Sequence, residues 1–143
     1  MLYSRTGERA WTSEATVKRI LLAEDERPLA RLVQVNLERA GYQVEWVSHG
    51  AAALQAVAQA APDVIILDVA MPEVDGFEVL RHLKADPETA DIPVIMLTGR
   101  TDEESVYRSW AGGVHYYMTK PFDPRELALV VERVFDEDSD WQA

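Results

Sequence analysis

Four consecutive apolar residues closed by an aspartate, Val64-Ile65-Ile66-Leu67-Asp68, constrain this chain more than any other stretch. The run does not alternate, as a strand with one wet face would, so it calls for a strand buried on both faces. The residues that follow, from Ala70-Met71-Pro72 to Asp75-Gly76, are turn chemistry. A strand that stops on an acid and opens into a loop presents that acid at the sheet's carboxyl end. A single acid in such a place is more often a loop residue or a helix cap. Its meaning depends on what the other strands deliver.

Taken in order, residues 1–16 are polar and without period, and are expected to form a flexible extension, native or added. Val17 to Ala23 reads as a first strand ending in Glu24-Asp25-Glu26. Pro28 suits the first turn of a helix, and Leu29, Leu32, Val33, Leu37 and Ala40 recur at helical spacing before Gly41 stops it. Val44 to Val47 is a second strand, followed by an alanine-rich helix with Leu54 and Val57 inward, closed before Pro62. After the Asp68 strand comes a helix from about Gly76 with Phe77, Leu80 and Leu83 inside, then a fourth strand, Pro93 to Thr98. The helix from about Asp102 to Ala111 offers only Val106 and Trp110 as strong inward candidates, so it is expected to be loosely held. A fifth strand, Val114 to Met118, leads to Thr119-Lys120-Pro121. Asp123-Pro124-Arg125-Glu126 then opens a last helix striped by Leu127, Val130, Val131 and Val134. The domain is expected over residues 17–136, with 137–143 an acidic tail that frays.

Five strand and helix pairs with near-continuous apolar strands predict an α/β domain, a doubly wound parallel sheet covered by helices on both faces. At 143 residues the chain is one domain that buries roughly 70% of its unfolded surface. With 14 Lys and Arg against 25 Asp and Glu, its net charge of -11 repels phosphate backbones and anionic lipid, which argues against direct nucleic-acid or membrane binding. The absence of cysteine excludes disulfides and thiolate chemistry and fits a cytoplasmic setting. His49, His82 and His115 lack ligand spacing and read as surface or loop residues.

The strand ends bring together Glu24 and Asp25, Asp68, Thr98 and Lys120. Three gathered carboxylates either take up protons or recruit a hard cation, and oxygen ligands with room for water and phosphate suit Mg²⁺. A threonine hydroxyl and a lysine ammonium fit the oxygens of a phosphoryl group in transfer, which leaves Asp68 as nucleophile.

Glu24-Asp25, Leu67-Asp68-Val69-Ala70-Met71-Pro72 with Asp75-Gly76, Thr98-Gly99 and Lys120-Pro121-Phe122 together resemble the receiver domain of two-component response regulators, of the chemotaxis-regulator type, over about residues 17–135. The resemblance implies a flavodoxin-like sheet of order 2-1-3-4-5 with five helices. It implies a phosphorylation-dependent switch and not an enzyme in the ordinary sense: Asp68 accepts a phosphoryl group from a histidine kinase or phosphotransfer protein. Mg²⁺ is then held by Asp25, by Glu24 through water, by Asp68 and by the Ala70 carbonyl. Thr98 and Lys120 close on the phosphoryl group, Tyr117 rotates inward behind Thr98, and the face of fourth helix, fifth strand and fifth helix is re-aimed toward a target or a second copy. Lys120-Pro121 matches a bond that is cis in the family, and Ala70 and Arg100 fall at positions that tune phosphoryl lifetime. Glu24 stands where aspartate is commoner, Tyr116 where Asp or Gly is frequent, and Gly113 where alanine is frequent. From its residues alone Tyr117 reads as half-buried packing before it reads as a switch.

Two rival readings fit the residues less well. A Mg²⁺-dependent aspartyl-phosphate phosphatase would use the same groups, but its second aspartate, two beyond the nucleophile, is Ala70 here. A binding module with a dead site would show no Mg²⁺ affinity. Neither nucleotide-binding glycine motif occurs. The chain reads either as a stand-alone receiver or as one cut from a longer regulator or hybrid kinase.

Overall fold

The apolar runs become five strands and the periodic stretches five helices in a computed structural model that describes residues 17–99 and 103–142, with side chains through 136. In chain order these are β1 (Arg19–Ala23), α1 (Arg27–Arg39), β2 (Gln43–Val47), α2 (Gly50–Gln59), β3 (Val64–Asp68), α3 (Gly76–Ala85), β4 (Val94–Thr98), α4 (Glu103–Ala111), β5 (Tyr116–Thr119) and α5 (Pro124–Gln142). Every pairing is parallel and the order is β2-β1-β3-β4-β5, as the resemblance implies. Every residue of β3 and β4 is buried, whereas edge strand β2 alternates exposed with half-buried positions.

Alternate residues of the inner strands face opposite helical layers. Leu21, Ile65, Leu67 and Met96 pack with Ala53 and Val57 of α2 and with Phe77 and Leu80 of α3. Ile20, Leu22, Ile66 and Leu97 pack with Val33 and Leu37 of α1 and with Leu127 and Val131 of α5. Burying each large aliphatic side chain stabilises the fold by roughly 1.5–3 kcal/mol. Because the chain leaves β1 for β2 on one side and later fills β3 on the other, the loops after β1 and β3 diverge and leave a crevice at their carboxyl ends.

Several inward assignments need correction. Leu32 is 50% exposed and Ala40 is exposed, while Ala30 is fully buried, so the inner stripe of α1 is Ala30, Val33 and Leu37. On α4 the difference matters more. Trp110 is 52% exposed, Val106 is half-buried, and the residues that face the sheet are Ser105 and Ser109. Apolarity alone ranks Trp110 first, but the small serines are what fit beneath this helix. The helical run of α5 continues to Gln142. Residues 1–16 and Arg100 lie outside the described residues.

Candidate functional site

Strand β1 ends at Ala23 and hands on Glu24, whose side chain is fully buried, and Asp25, which is exposed. Strand β3 ends on Asp68, 2% exposed. One carboxylate oxygen from each of the three lies within 4.8 Å of the others. Thr98, 1% exposed, closes β4 one residue beyond Leu97, the register partner of Asp68. Its carbonyl accepts the Lys120 backbone N–H at 2.7 Å, and the Lys120-Pro121 peptide is cis.

From that anchored backbone the Lys120 ammonium reaches into the acids. It lies 3.0 Å from Glu24 Oε1, 3.3 Å from Asp68 Oδ1 and 3.7 Å from Glu26 Oε2. Glu24 Oε2 accepts from Lys120 Nζ at 3.3 Å and from the Glu26 backbone N–H at 3.0 Å. Glu24 Oε1, by contrast, has no hydrogen-bond partner among the described residues: its approach to Lys120 is a charge contact of poor direction. A buried carboxylate oxygen with unused acceptor capacity, beside two more carboxylates, is the donor set a hard divalent cation takes. The residues present therefore fit Mg²⁺.

The loop after β3 is held close to Asp68. The Ala70 N–H donates to Asp68 Oδ1 at 3.4 Å, and the Gly76 N–H donates to the Val69 carbonyl at 2.9 Å. A Cβ on Gly76 would sit 2.5 Å from the Asp68 carbonyl oxygen, so only glycine lets α3 start this near the site. Glu73, in the same loop, adopts φ +68°, a left-handed conformation uncommon outside glycine. Asp75 then caps α3 by accepting the Glu78 N–H at 2.9 Å.

Burial and the nearby Glu24 charge push the Asp68 carboxyl up to about 7; Lys120 opposes them, and a hydrogen bond with Asp25 adds to the rise. Burial works against the Lys120 charge, yet hydrogen bonds and attraction from Glu24 and Asp68 outweigh it and hold the ammonium above its usual range. The site thus has a carboxylate that is costly to ionise without a cation, beside an ammonium that stays charged.

Asp25, Glu24, Asp68 and Lys120 meet at one end of the sheet, with Thr98 at the end of the neighbouring strand. Tyr117, half-buried on β5, packs against the cluster on the α2 and α3 side, and Tyr116 faces the other layer. Two participants were missed. Glu26 adds a third acid to the Lys120 surroundings, and its adjacency to Glu24-Asp25 was the available signal. Trp46 of β2 donates its indole N–H to the Glu24 carbonyl at 2.8 Å. A lone tryptophan in an edge strand, needing an acceptor, was the only hint.

Residues 20–132 match the family described as response regulator receiver domain. Over 109 residues the chain is 41% identical to the DNA-binding dual master transcriptional regulator RpaA of Synechocystis, covering 76% of this chain and 45% of that protein. It is similar in structure to the signal receiver domain of a signal transduction histidine kinase from Syntrophus aciditrophicus, with TM-score 0.79, 39% identity and coverage of 85% and 92% of the two chains. The chemotaxis protein CheY4 of Vibrio cholerae gives TM-score 0.77 and 33% identity, covering 82% of this chain and 98% of that one. The chain spans about half the length of the curated relatives it matches, 45% and 51% for two of them.

Proposed function

We propose, because the chain belongs to the response regulator receiver family, that Asp68 is the phosphoryl acceptor of this two-component signalling switch. The observation that carries the reading is the approach of Lys120 Nζ to within 3.3 Å of a buried aspartate at the end of β3, inside a cluster of three acids. An ammonium so placed can follow a carboxylate through a reaction that adds negative charge to it.

An Asp68 oxygen attacks the phosphorus of a phosphohistidine on a histidine kinase or phosphotransfer protein. The P–O bond forms as the P–N bond breaks, and the imidazole leaves with the electron pair and takes a proton. Asp25, Glu24 through a water, Asp68 and the Ala70 carbonyl are the groups that would hold Mg²⁺, whose bound charge offsets that of the transferring phosphoryl group. Lys120 then leaves part of its contact with Glu24 and Asp68 for the new oxygens, and Thr98 donates its hydroxyl to them. Tyr117 follows Thr98 inward, and the face of α4, β5 and α5 changes toward a downstream protein, an effector domain or a second copy. Ala70 and Arg100 set how long the acyl phosphate lasts. The buried serines of α4 support the view that this helix is the part that yields.

Incubation with acetyl phosphate and Mg²⁺, followed by intact mass and peptide mapping, tests the assignment. One phosphoryl group on Asp68 is expected, lost in Asp68→Asn; equal labelling of that variant refutes it.

A further inference from the structure

We infer that Trp46 is a positioning residue for the cation site, a role that rests on reading Glu24, Asp25 and Asp68 as Mg²⁺ ligands. Trp46 pairs with Leu22 in the β1 and β2 register, two residues short of Glu24, and its indole N–H reaches forward to Glu24, one residue past the end of β1. The Glu24 N–H makes a last backbone bond to the Val47 carbonyl at 3.1 Å, and the Glu24 carbonyl accepts the Trp46 indole N–H at 2.8 Å. Both polar groups of the Glu24 main chain are thereby tied to β2. The same ring is covered by the Arg27 guanidinium, 5.2 Å from its centroid, at the first residue of α1.

One side chain therefore fixes the Glu24 end of the turn Glu24-Asp25-Glu26-Arg27 by a hydrogen bond to its main chain and touches the Arg27 side chain at the other end. Asp25, an exposed acid of the cluster, follows directly on that tied Glu24 main chain. Fixing its backbone before a cation arrives removes an ordering cost that binding would otherwise meet, so the indole acts on affinity without touching the ion. The arrangement also links edge strand β2 to a site built from β1 and β3.

The test is a calorimetric titration of the full chain with Mg²⁺ alone, using wild type, Trp46→Phe and Asp25→Asn. Phenylalanine keeps an aromatic face for Arg27 and removes the donor together with part of the ring's volume. Trp46→Phe is expected to bind Mg²⁺ about tenfold more weakly than wild type. A purely structural tryptophan would lower the metal-free melting temperature and leave the affinity of the folded protein unchanged, and that result overturns the proposal. If wild type binds no more tightly than Asp25→Asn, the cation site itself is misassigned and the role of Trp46 falls with it. Should Trp46→Phe not fold, the indole N–H resonance of Trp46 in the wild-type protein decides: it is expected to move with the same midpoint as the heat, and an unmoved resonance overturns the role.

Discussion

Burial and the Glu24 carboxylate place the Asp68 acid up to about 7, far above a carboxyl in an unfolded chain. In the metal-free protein the native state therefore holds a proton that the unfolded chain releases above about pH 4. The stability this brings is complete below that pH and is lost as pH rises toward 7. Thermal unfolding in chelator is expected to show the melting temperature falling between pH 5 and pH 8, with Asp68→Asn flattening the fall and gaining at least about 1 kcal/mol at pH 8. An Asp68→Asn profile parallel to wild type would contradict the charge crowding. Lys120 is the other half of that balance, since it stands 3.0 Å from a Glu24 side chain with no exposure. Lys120→Met leaves two buried acids without a cation and is expected to cost about 3 kcal/mol in chelator, with Mg²⁺ recovering much of the loss. Denaturant unfolding with and without Mg²⁺ checks this; an equal loss in both counts against it.

Among the elements, α4 is held by little apolar surface. Its inner face is Ser105 and Ser109, with Ser109 Oγ donating to the Ser105 carbonyl at 3.2 Å, while Tyr107 and Trp110 point outward. One tie to α3 is the Arg108 guanidinium, 4.1 Å from the Phe77 ring centroid. Such a contact is worth about 0.5–1 kcal/mol at a partly exposed site. Amide exchange is expected to be faster in α4 than in α1, and Arg108→Ala to raise it about two- to fivefold further, with α1 unchanged. Uniform acceleration would show that α4 is no separate unit. The looseness of α4 was legible in its sequence, but its facing was not: periodicity ranks residues by apolarity, and here the space beneath the helix admits serines and leaves Trp110 in solvent. Leu32 misled for a similar reason, as α1 turns Ala30 to the sheet and leaves its larger neighbour outside. The inner strands were readable because burial on both faces writes an unbroken apolar run. The strand-end acids were readable because such a run cannot absorb them. The bond from Trp46 to Glu24 was not, since it joins residues 22 apart in the chain through one indole N–H.

Across the whole molecule, the order of the parallel strands sends the loops after β1 and β3 to opposite sides of one crevice, so acids from β1 and β3 and the lysine after β5 converge without being close in sequence. A ligand that binds only the native state raises its stability by mass action. Millimolar Mg²⁺ is therefore expected to raise the melting temperature of wild type more than that of Asp25→Asn, as read by scanning calorimetry; equal shifts would mean the ion binds elsewhere. The most direct test of the central claim is amide NMR of the full chain with Mg²⁺ and beryllofluoride, a stable mimic of the phosphoryl group. Shifts are expected to begin at Asp68, Thr98 and Lys120 and to extend through Tyr117 to α4 and α5, all absent from Asp68→Asn. Shifts of the same size in Asp68→Asn, or none in wild type, would contradict it.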